Sequence, residues 1–385
     1  YLSLAANQTL AGQLNLQTNG ELKTSGDGQY IGDIALAGGK FSATDNQVLG
    51  GTLSITADSE LTVSQGYTLT LSQTGGLALG ANMLTLSGGG SLVSGGLTLD
   101  NASSKLVLNS ITVDNVSTTS DSLGLDVDAD STVTSLSVAN ITPVSIASGK
   151  ILSGAITVTA GSIKLAETGK LASTISMSGG VLDADNSLTV SGTLTQSGAI
   201  TIDVADNKTL TYSGTAISLG ANTLTLSGGG TFSNTNALVL NDANSLLSLA
   251  GILTIGDVDG TTASNSGKGI RVTSSATLGD YDLSAVSYLS LAANQTLAGQ
   301  LNLQTNGELK TSGDGQYIGD IALAGGKFSA TDNQVLGGTL SITGNSELTV
   351  SQGYTLTLSQ SGGLALGANT LTLSGGGSLV SGGLT

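Results

Sequence analysis

Aliphatic residues along this chain come in pairs separated by one polar or small residue. Leu53-Ser-Ile55, Leu61-Thr-Val63, Leu69-Thr-Leu71, Leu77-Ala-Leu79, Leu84-Thr-Leu86, Leu97-Thr-Leu99, Leu106-Val-Leu108 and Ile111-Thr-Val113 follow one another in quick succession. Strict alternation places both aliphatics on one face of an extended strand and the middle residue on the other. Between the triplets stand turn formers such as Ser-Gln-Thr-Gly-Gly at 72–76, Gly-Ala-Asn at 80–82 and Ser-Gly-Gly-Gly at 87–90. Gly and Asn accept the positive φ that tight turns need. No segment sustains a 3.6-residue period, so the pattern predicts an all-β chain with almost no helix.

Strands starting every ~5–9 residues are too closely spaced for a β-sandwich, whose turns come about every 8–12 residues. The arrangement that tolerates such spacing is a parallel β-helix, or β-solenoid, in which inward aliphatics stack into ladders along the axis and extra residues loop out of a coil. Grouping the triplets gives coils that begin near Leu14, Ile34, Leu53, Leu69, Leu84, Leu97 and Ile111. That grouping implies ~16 residues per coil and, at ~4.8 Å per coil, a rod of about 115 Å; three-strand coils of ~24 residues shorten it by a third. The middle residues Thr70, Thr85, Thr98 and Thr112 are then expected to form one outward row.

A repeat governs the whole chain. Residues 1–98 return as 288–385, opening on Tyr1 and Tyr288, and four of the 98 positions differ: Ala57/Gly344, Asp58/Asn345, Thr74/Ser361 and Met83/Thr370. A fainter repeat lies inside the 287-residue period. Ile34–Leu53 matches Ile175–Leu194 without a gap, and Leu79–Gly90 matches Leu219–Gly230. The period thus reads as two diverged half-units, about 1–143 and 144–287. Residues 1–385 are expected to form one continuous solenoid, with 1–287 a full repeat and 288–385 the start of the next. Both ends fall in mid-pattern, and with no initiator Met or signal peptide the chain reads as a segment of a longer protein whose neighbouring coils continue the stack.

Composition narrows the options. The chain has 57 Gly, one Pro (Pro143) and no Cys, His or Trp, with aromatics at 3%. A 39% hydrophobic fraction set in such regular order is that of a packed chain. No apolar run approaches the ~18 residues a membrane-spanning helix needs. The net charge of −16 argues against nucleic-acid binding, because no Lys/Arg surface exists to neutralise phosphates. Without Cys there is neither a disulfide framework nor a thiolate metal site.

The pieces Leu-Gly-Ala-Asn-Thr-Leu-Thr-Leu-Ser-Gly-Gly-Gly (219–230) and Gly-Gly-Leu-Thr-Leu-Asp-Asn-Ala (95–102) resemble passenger regions of bacterial autotransporters. They are also similar to filamentous-haemagglutinin-type and other giant repetitive surface adhesins. The resemblance is one of texture and covers essentially the whole chain. It implies a right-handed parallel β-helix, export to the bacterial cell surface, and a stalk or fibre role. It carries over no functional residue.

Candidate chemistry is sparse. Without His or Cys, a Ser nucleophile has no ordinary base, and the chain is expected not to be an enzyme. Paired carboxylates such as Asp183/Asp185 have the chemistry of an acid and a base, but Asp185 stands where the other half-unit has Thr44, and a turn is the simpler place for it. The leading metal candidate is Asp126, Asp128 and Asp130, whose i, i+2, i+4 spacing echoes the start of a calcium loop. The sixth position there is Ser131 rather than Gly, and the twelfth is Ser137 rather than Glu. The plain alternative is that Leu125 and Val127 face the core while the Asp residues face water. Asp257/Asp259 and Asp280/Asp282 rank below it, and no other cofactor is implied. Asn-x-Ser/Thr triplets, as at Asn7 and Asn101, arise by chance in so polar a chain.

Two functions remain. The first is a structural repeat segment of a secreted bacterial fibre or stalk, its partner being itself through covalent tandem repeats or end-to-end stacking. The second is an adhesin module that grips glycan or another cell, with host or neighbouring-cell surface as partner. The aromatics separate them: Tyr30, Phe41 and Tyr67 in one outward groove favour binding, whereas aromatics filling core corners favour the spacer.

Overall fold

The triplets do become strands, and every aliphatic in the eight quoted above is buried. The computed structural model describes residues 2–5, 7–26, 29–30, 32–252 and 254–385; Tyr1 lies outside them. Among these residues there is no helix, and the strands pair in parallel. The chain falls into two units, Tyr1–Thr193 and Leu194–Thr385. Each is a parallel β-solenoid.

In the first unit a coil has three sides. Strand β1 (Ser59–Val63) lies on the first face, β2 (Thr68–Leu71) on the second and β3 (Leu77–Ala78) on the third. The next coil repeats the circuit with β4 (Met83–Ser87), β5 (Ser91–Val93) and β6 (Leu97–Leu99). On the first face Leu61 pairs with Leu86, Leu84 with Leu106, Leu106 with Leu125 and Leu125 with Val144. The second unit is built the same way. Ile200 pairs with Leu224, Leu224 with Leu247, Leu247 with Ile270 and Ile270 with Leu289.

These registers correct the coil length. A coil takes 19 to 25 residues, as between Leu106 and Leu125 or between Leu61 and Leu86, rather than about 16. Leu14, Ile34 and Leu53 do occupy one face of successive coils. Leu69, Leu84 and Leu97, however, lie on the second, first and third faces of the stack. Period-2 alternation is identical on every face, so the pattern alone does not say which strand completes a circuit.

The expected Thr row is corrected for the same reason. Thr70 neighbours Val48 and Val93, Thr85 neighbours Glu60 and Val107, and Thr98 neighbours Ala78 and Ser117, which places them on three different faces. An outward hydroxyl row exists elsewhere: Thr98, Ser117, Ser137, Thr157 and Ser176 stand in register on the third face.

The turn between the second and third faces explains part of the glycine content. Gly12, Gly32 and Gly51 stack there, and Gly299, Gly319 and Gly338 repeat the column. A Cβ on Gly32 would lie 1.7 Å from the Gly12 carbonyl oxygen, and one on Gly319 would lie 2.0 Å from that of Gly299. No side chain fits between coils this close. Beside the column, the Tyr30 hydroxyl donates to Gly12 O at 2.8 Å and the Tyr317 hydroxyl donates to Gly299 O at 3.0 Å. Tyr30, Phe41, Tyr317 and Phe328 are all buried, and Tyr212 stacks on Phe232 with ring centroids 6.3 Å apart.

The half-unit repeat survives at the turn from the third face to the first. Asn82 Nδ2 donates to Leu79 O at 2.9 Å, and Asn222 Nδ2 donates to Leu219 O at 3.0 Å. Gly80 N–H donates to Asp100 Oδ1 at 2.8 Å, and Gly220 N–H donates to Asn241 Oδ1 at 2.9 Å. The Gly-Ala-Asn motif is therefore a corner fastening, present once in each half-unit.

Candidate functional site

Side chains that alternate outward on the first face are carried past one another at the strand spacing of about 4.8 Å. Glu21, Lys40 and Glu60 are consecutive members of one outward column. Lys40 Nζ lies 2.7 Å from Glu60 Oε1, and Ser42 Oγ donates to Glu21 at 2.9 Å. Burial pushes the Glu60 carboxyl up, but the Lys40 ammonium and the Thr62 and Ser87 hydroxyls outweigh it and hold the group below its usual range. Glu308, Lys327 and Glu347 repeat the column, with Lys327 3.8 Å from Glu308 and 3.2 Å from Glu347. There a hydrogen bond from Ser374 leads the causes that lower Glu347.

Each column borders an open groove, about 420 Å³ beside Asn19, Gly39, Lys40 and Asp58, and about 610 Å³ beside Asn306, Gly326, Lys327 and Asn345. Two of the four sequence differences line it, and a third, Ala57/Gly344, adjoins them. Asp58 Oδ1 accepts the Met83 N–H at 2.7 Å, and Asn345 Oδ1 accepts the Thr370 N–H at 2.8 Å. The fourth difference, Thr74/Ser361, follows Gln73 and Gln360, whose side-chain oxygens accept from Leu53 N at 2.6 Å and Leu340 N at 2.5 Å. At or beside three of the four differences, a bond between neighbouring coils is kept.

The same job occupies many acidic residues. Asp33 accepts from the Thr52 amide and hydroxyl at 2.8 and 2.7 Å, and Asp320 accepts from Thr339 at the same distances. The Thr52 and Thr339 amides, then their hydroxyls, hold the two carboxyls below their ordinary values. Asp114 takes the Ser94 and Gly95 amides, each at 3.0 Å, and the Ser94 hydroxyl at 2.8 Å. Such carboxylates staple one coil to the next. The sequence held the signal, Asp or Asn at turns, but the donor stands about one coil away and is invisible until coil length is known.

The calcium candidates disperse into these roles. Asp126 lies 2.5 Å from Lys105 Nζ, Asp130 accepts the Ile151 N–H at 3.0 Å, and Asp128 is exposed. Leu125 and Val127 face the core between them. Asp183 and Asp185 both hold Lys164, at 3.3 and 3.5 Å, and Asp183 is the leading cause that raises the lysine.

Two motifs that ranked lower are the ones the fold brings together. Asp259 pairs in register with Asp282, while Asp257 Oδ1 accepts the Asp280 N–H at 2.9 Å. Burial, then the charges of Asp282 and Asp257, pushes the Asp259 carboxyl up. Asn302 Nδ2 donates to Asp282 at 2.7 Å. Among the described residues, no group of three or more Asp or Glu side chains has the geometry to hold a metal ion.

Tyr30 and Phe41 are core residues, and only Tyr67 of the three test aromatics reaches the surface, so they line no common groove. Among the described residues, no helix is long and apolar enough to cross a membrane. No family model, no curated protein and no solved structure matches the chain.

Proposed function

We propose that this chain is a structural repeat segment of a secreted bacterial cell-surface fibre or stalk of the repetitive-adhesin or autotransporter-passenger kind, without enzymatic activity. One observation carries the reading: the two copies differ at four positions, and the inter-coil hydrogen bonds accepted by Asp58 and Asn345 and by Gln73 and Gln360, at or beside three of those positions, are present in both. What the repeat preserves is the stacking of coils rather than a constellation of reactive groups. The buried aromatics and the use of Asp as staples point the same way, because the groups most useful for gripping a ligand are spent on the scaffold. A coil that offers its neighbour the same surface as the last one extends indefinitely, which suits a spacer. Its partner is then itself.

Electron microscopy of material shed from intact cells, combined with protease shaving, tests the proposal. Uniform thin fibres labelled by an antibody to residues 288–385 are expected, with the epitope lost on shaving. Separate beads, or an epitope protected inside the cell, would sink it.

A second reading, an adhesin module whose surface grips glycan or another cell, draws on the recurrence of the same charged groove beside Lys40 and Lys327. Glycan-array binding that disappears in a Lys40→Glu, Lys327→Glu double variant would favour it over the spacer.

A further inference from the structure

Among the described residues, the non-glycine positions with a positive φ are Asn7, Asn19, Asn207, Asn294, Asn306 and, at +57°, Ser110. Asn tolerates that region better than most residues; serine has no such preference. Ser110 follows the first-face strand Lys105–Asn109. Leu106 stacks on Leu84 and Leu247 on Leu224, within the matching 79–90 and 219–230 segments, so the two leucines are equivalent. Four residues after Leu106 comes Ser110, and four after Leu247 comes Gly251, whose φ is also positive at +136°. One half-unit thus places at this corner the residue that accepts a positive φ without strain, while the other keeps a side chain there. Ser110 is exposed, and its hydroxyl makes no hydrogen bond among the described residues. No contact of that side chain inside the protein offsets the strain, and residues of this kind gather where a ligand is held.

Ser110 lines a groove of about 250 Å³ at the corner between the first and second faces, together with Thr112, Asp130, Thr132, Ile151 and Ser153. Thr112, Thr132 and Ser153 stand in register on three successive coils, at the strand spacing of ~4.8 Å. Their hydroxyls, like that of Ser110, have no partner among the described residues. Asp130 commits Oδ1 to the Ile151 N–H at 3.0 Å, and its second oxygen has no partner among the described residues. Half-buried Ile151 gives the groove an apolar wall. We propose that this groove binds one pyranose ring of a neutral glycan, its hydroxyls meeting Ser110, Thr112, Thr132, Ser153 and Asp130 Oδ2, and a C–H face meeting Ile151. Serine and threonine hydroxyls donate and accept alike, which suits a ligand made of hydroxyls. A few convergent polar groups beside an apolar wall are the usual make-up of a small-ligand site. The coil spacing is close to the separation of hydroxyls on alternate carbons of a pyranose. A net charge of −16 disfavours an acidic sugar. A metal ion is poorly served, because the groove offers one carboxylate with one oxygen already committed.

This site goes beyond the fibre reading and lies apart from the grooves beside Lys40 and Lys327, so each of the three fails separately. The test titrates the whole nitrogen-15-labelled chain with methyl glucoside, methyl mannoside, methyl galactoside and methyl N-acetylglucosaminide. At least one sugar is expected to shift the backbone amide signals of Ser110, Thr112, Thr132 and Ser153 saturably, while those of Lys40 and Lys327 stay still. Ser110→Gly is the decisive variant. It relieves the backbone, so amide exchange at 105–113 is expected to be unchanged or slower, yet the sugar is expected to bind about three- to tenfold more weakly. Thr132→Val keeps the shape, removes a hydroxyl and is expected to weaken binding by a similar factor. No saturable shift with any of the four sugars, or binding that both variants leave intact, would overturn the site. So would the same shifts with calcium chloride alone. Faster exchange in Ser110→Gly would overturn it too, by showing that the serine serves the fold.

Discussion

Two outward columns in this protein share one geometry and have opposite electrostatics. In Glu21–Lys40–Glu60 the charges alternate from coil to coil, and the carboxyl at the end is held below its normal range after burial is outweighed. In the patch of Asp257, Asp259, Asp280 and Asp282 they repeat, and burial followed by the neighbouring charges pushes Asp259 up. Each patch is carried by a ladder of parallel strands. The outward column is thus a minor term. Exposed ion pairs contribute about 0–1 kcal/mol, while each buried Leu contributes about 2 kcal/mol. Inward aliphatics and inter-coil backbone bonds hold the coils, and the outer charges are fitted to a scaffold already decided.

If that is right, the largest effects lie beneath the charges and are alike in the two regions. Leu61→Ala under the alternating column and Leu283→Ala beside the acidic one are each expected to cost about 2–5 kcal/mol, read as local hydrogen exchange of the affected coils. A difference between them as large as either value would break the comparison. Next come the staples. Asp58→Ala and Asp257→Ala each remove the acceptor of one backbone amide and are expected to cost about 1 kcal/mol, with faster exchange at Met83 and Asp280 respectively.

Smaller effects carry opposite signs. Lys40→Met is expected to lower local stability by less than about 1 kcal/mol, whereas Asp259→Asn is expected to raise it by about 0.2–1 kcal/mol. Acid should separate the regions too. Asp259 has its pKa raised by folding, so its contribution is present below the unfolded value and lost as pH rises through the folded one; the 254–283 coils should tighten on acidification. Glu60 and Asp33 are lowered, so their contributions are present above the unfolded value and lost as pH falls; the 33–60 coils should loosen. Exchange rates measured at neutral pH and in the carboxylate range, corrected for intrinsic chemistry, check both signs, and Asp259→Asn should remove its part of the acid gain. The smallest effect is salt: near 1 M the Debye length falls to about 3 Å, and the contrast between Lys40→Met and Asp259→Asn should shrink.

Much of the fold was legible from one dimension. Leu-x-Leu spacing marks strand and inward face locally, because successive side chains on a strand point to opposite sides whatever lies next to them. Gly and Asn mark turns by the backbone conformations they permit. The Gly-Ala-Asn motifs at 80–82 and 220–222 were visible as a repeat and prove to be the same corner. The candidate site was not legible in the same way. Asp126, Asp128 and Asp130 are close in sequence yet serve a lysine, solvent and a backbone amide. Asp259 and Asp282 are 23 positions apart and face each other.

By itself, then, the sequence determined the all-β class, the strands, their buried faces and the repeat, since all of these follow from the local alternation of apolar and polar residues or from identity along the chain. Only the tertiary structure decided how many residues close a coil, that a coil has three sides, and which charges become neighbours. Coil closure depends on backbone packing such as Gly32 against Gly12, which no periodicity records. A change of a few residues in coil length moves every outward side chain to a different partner.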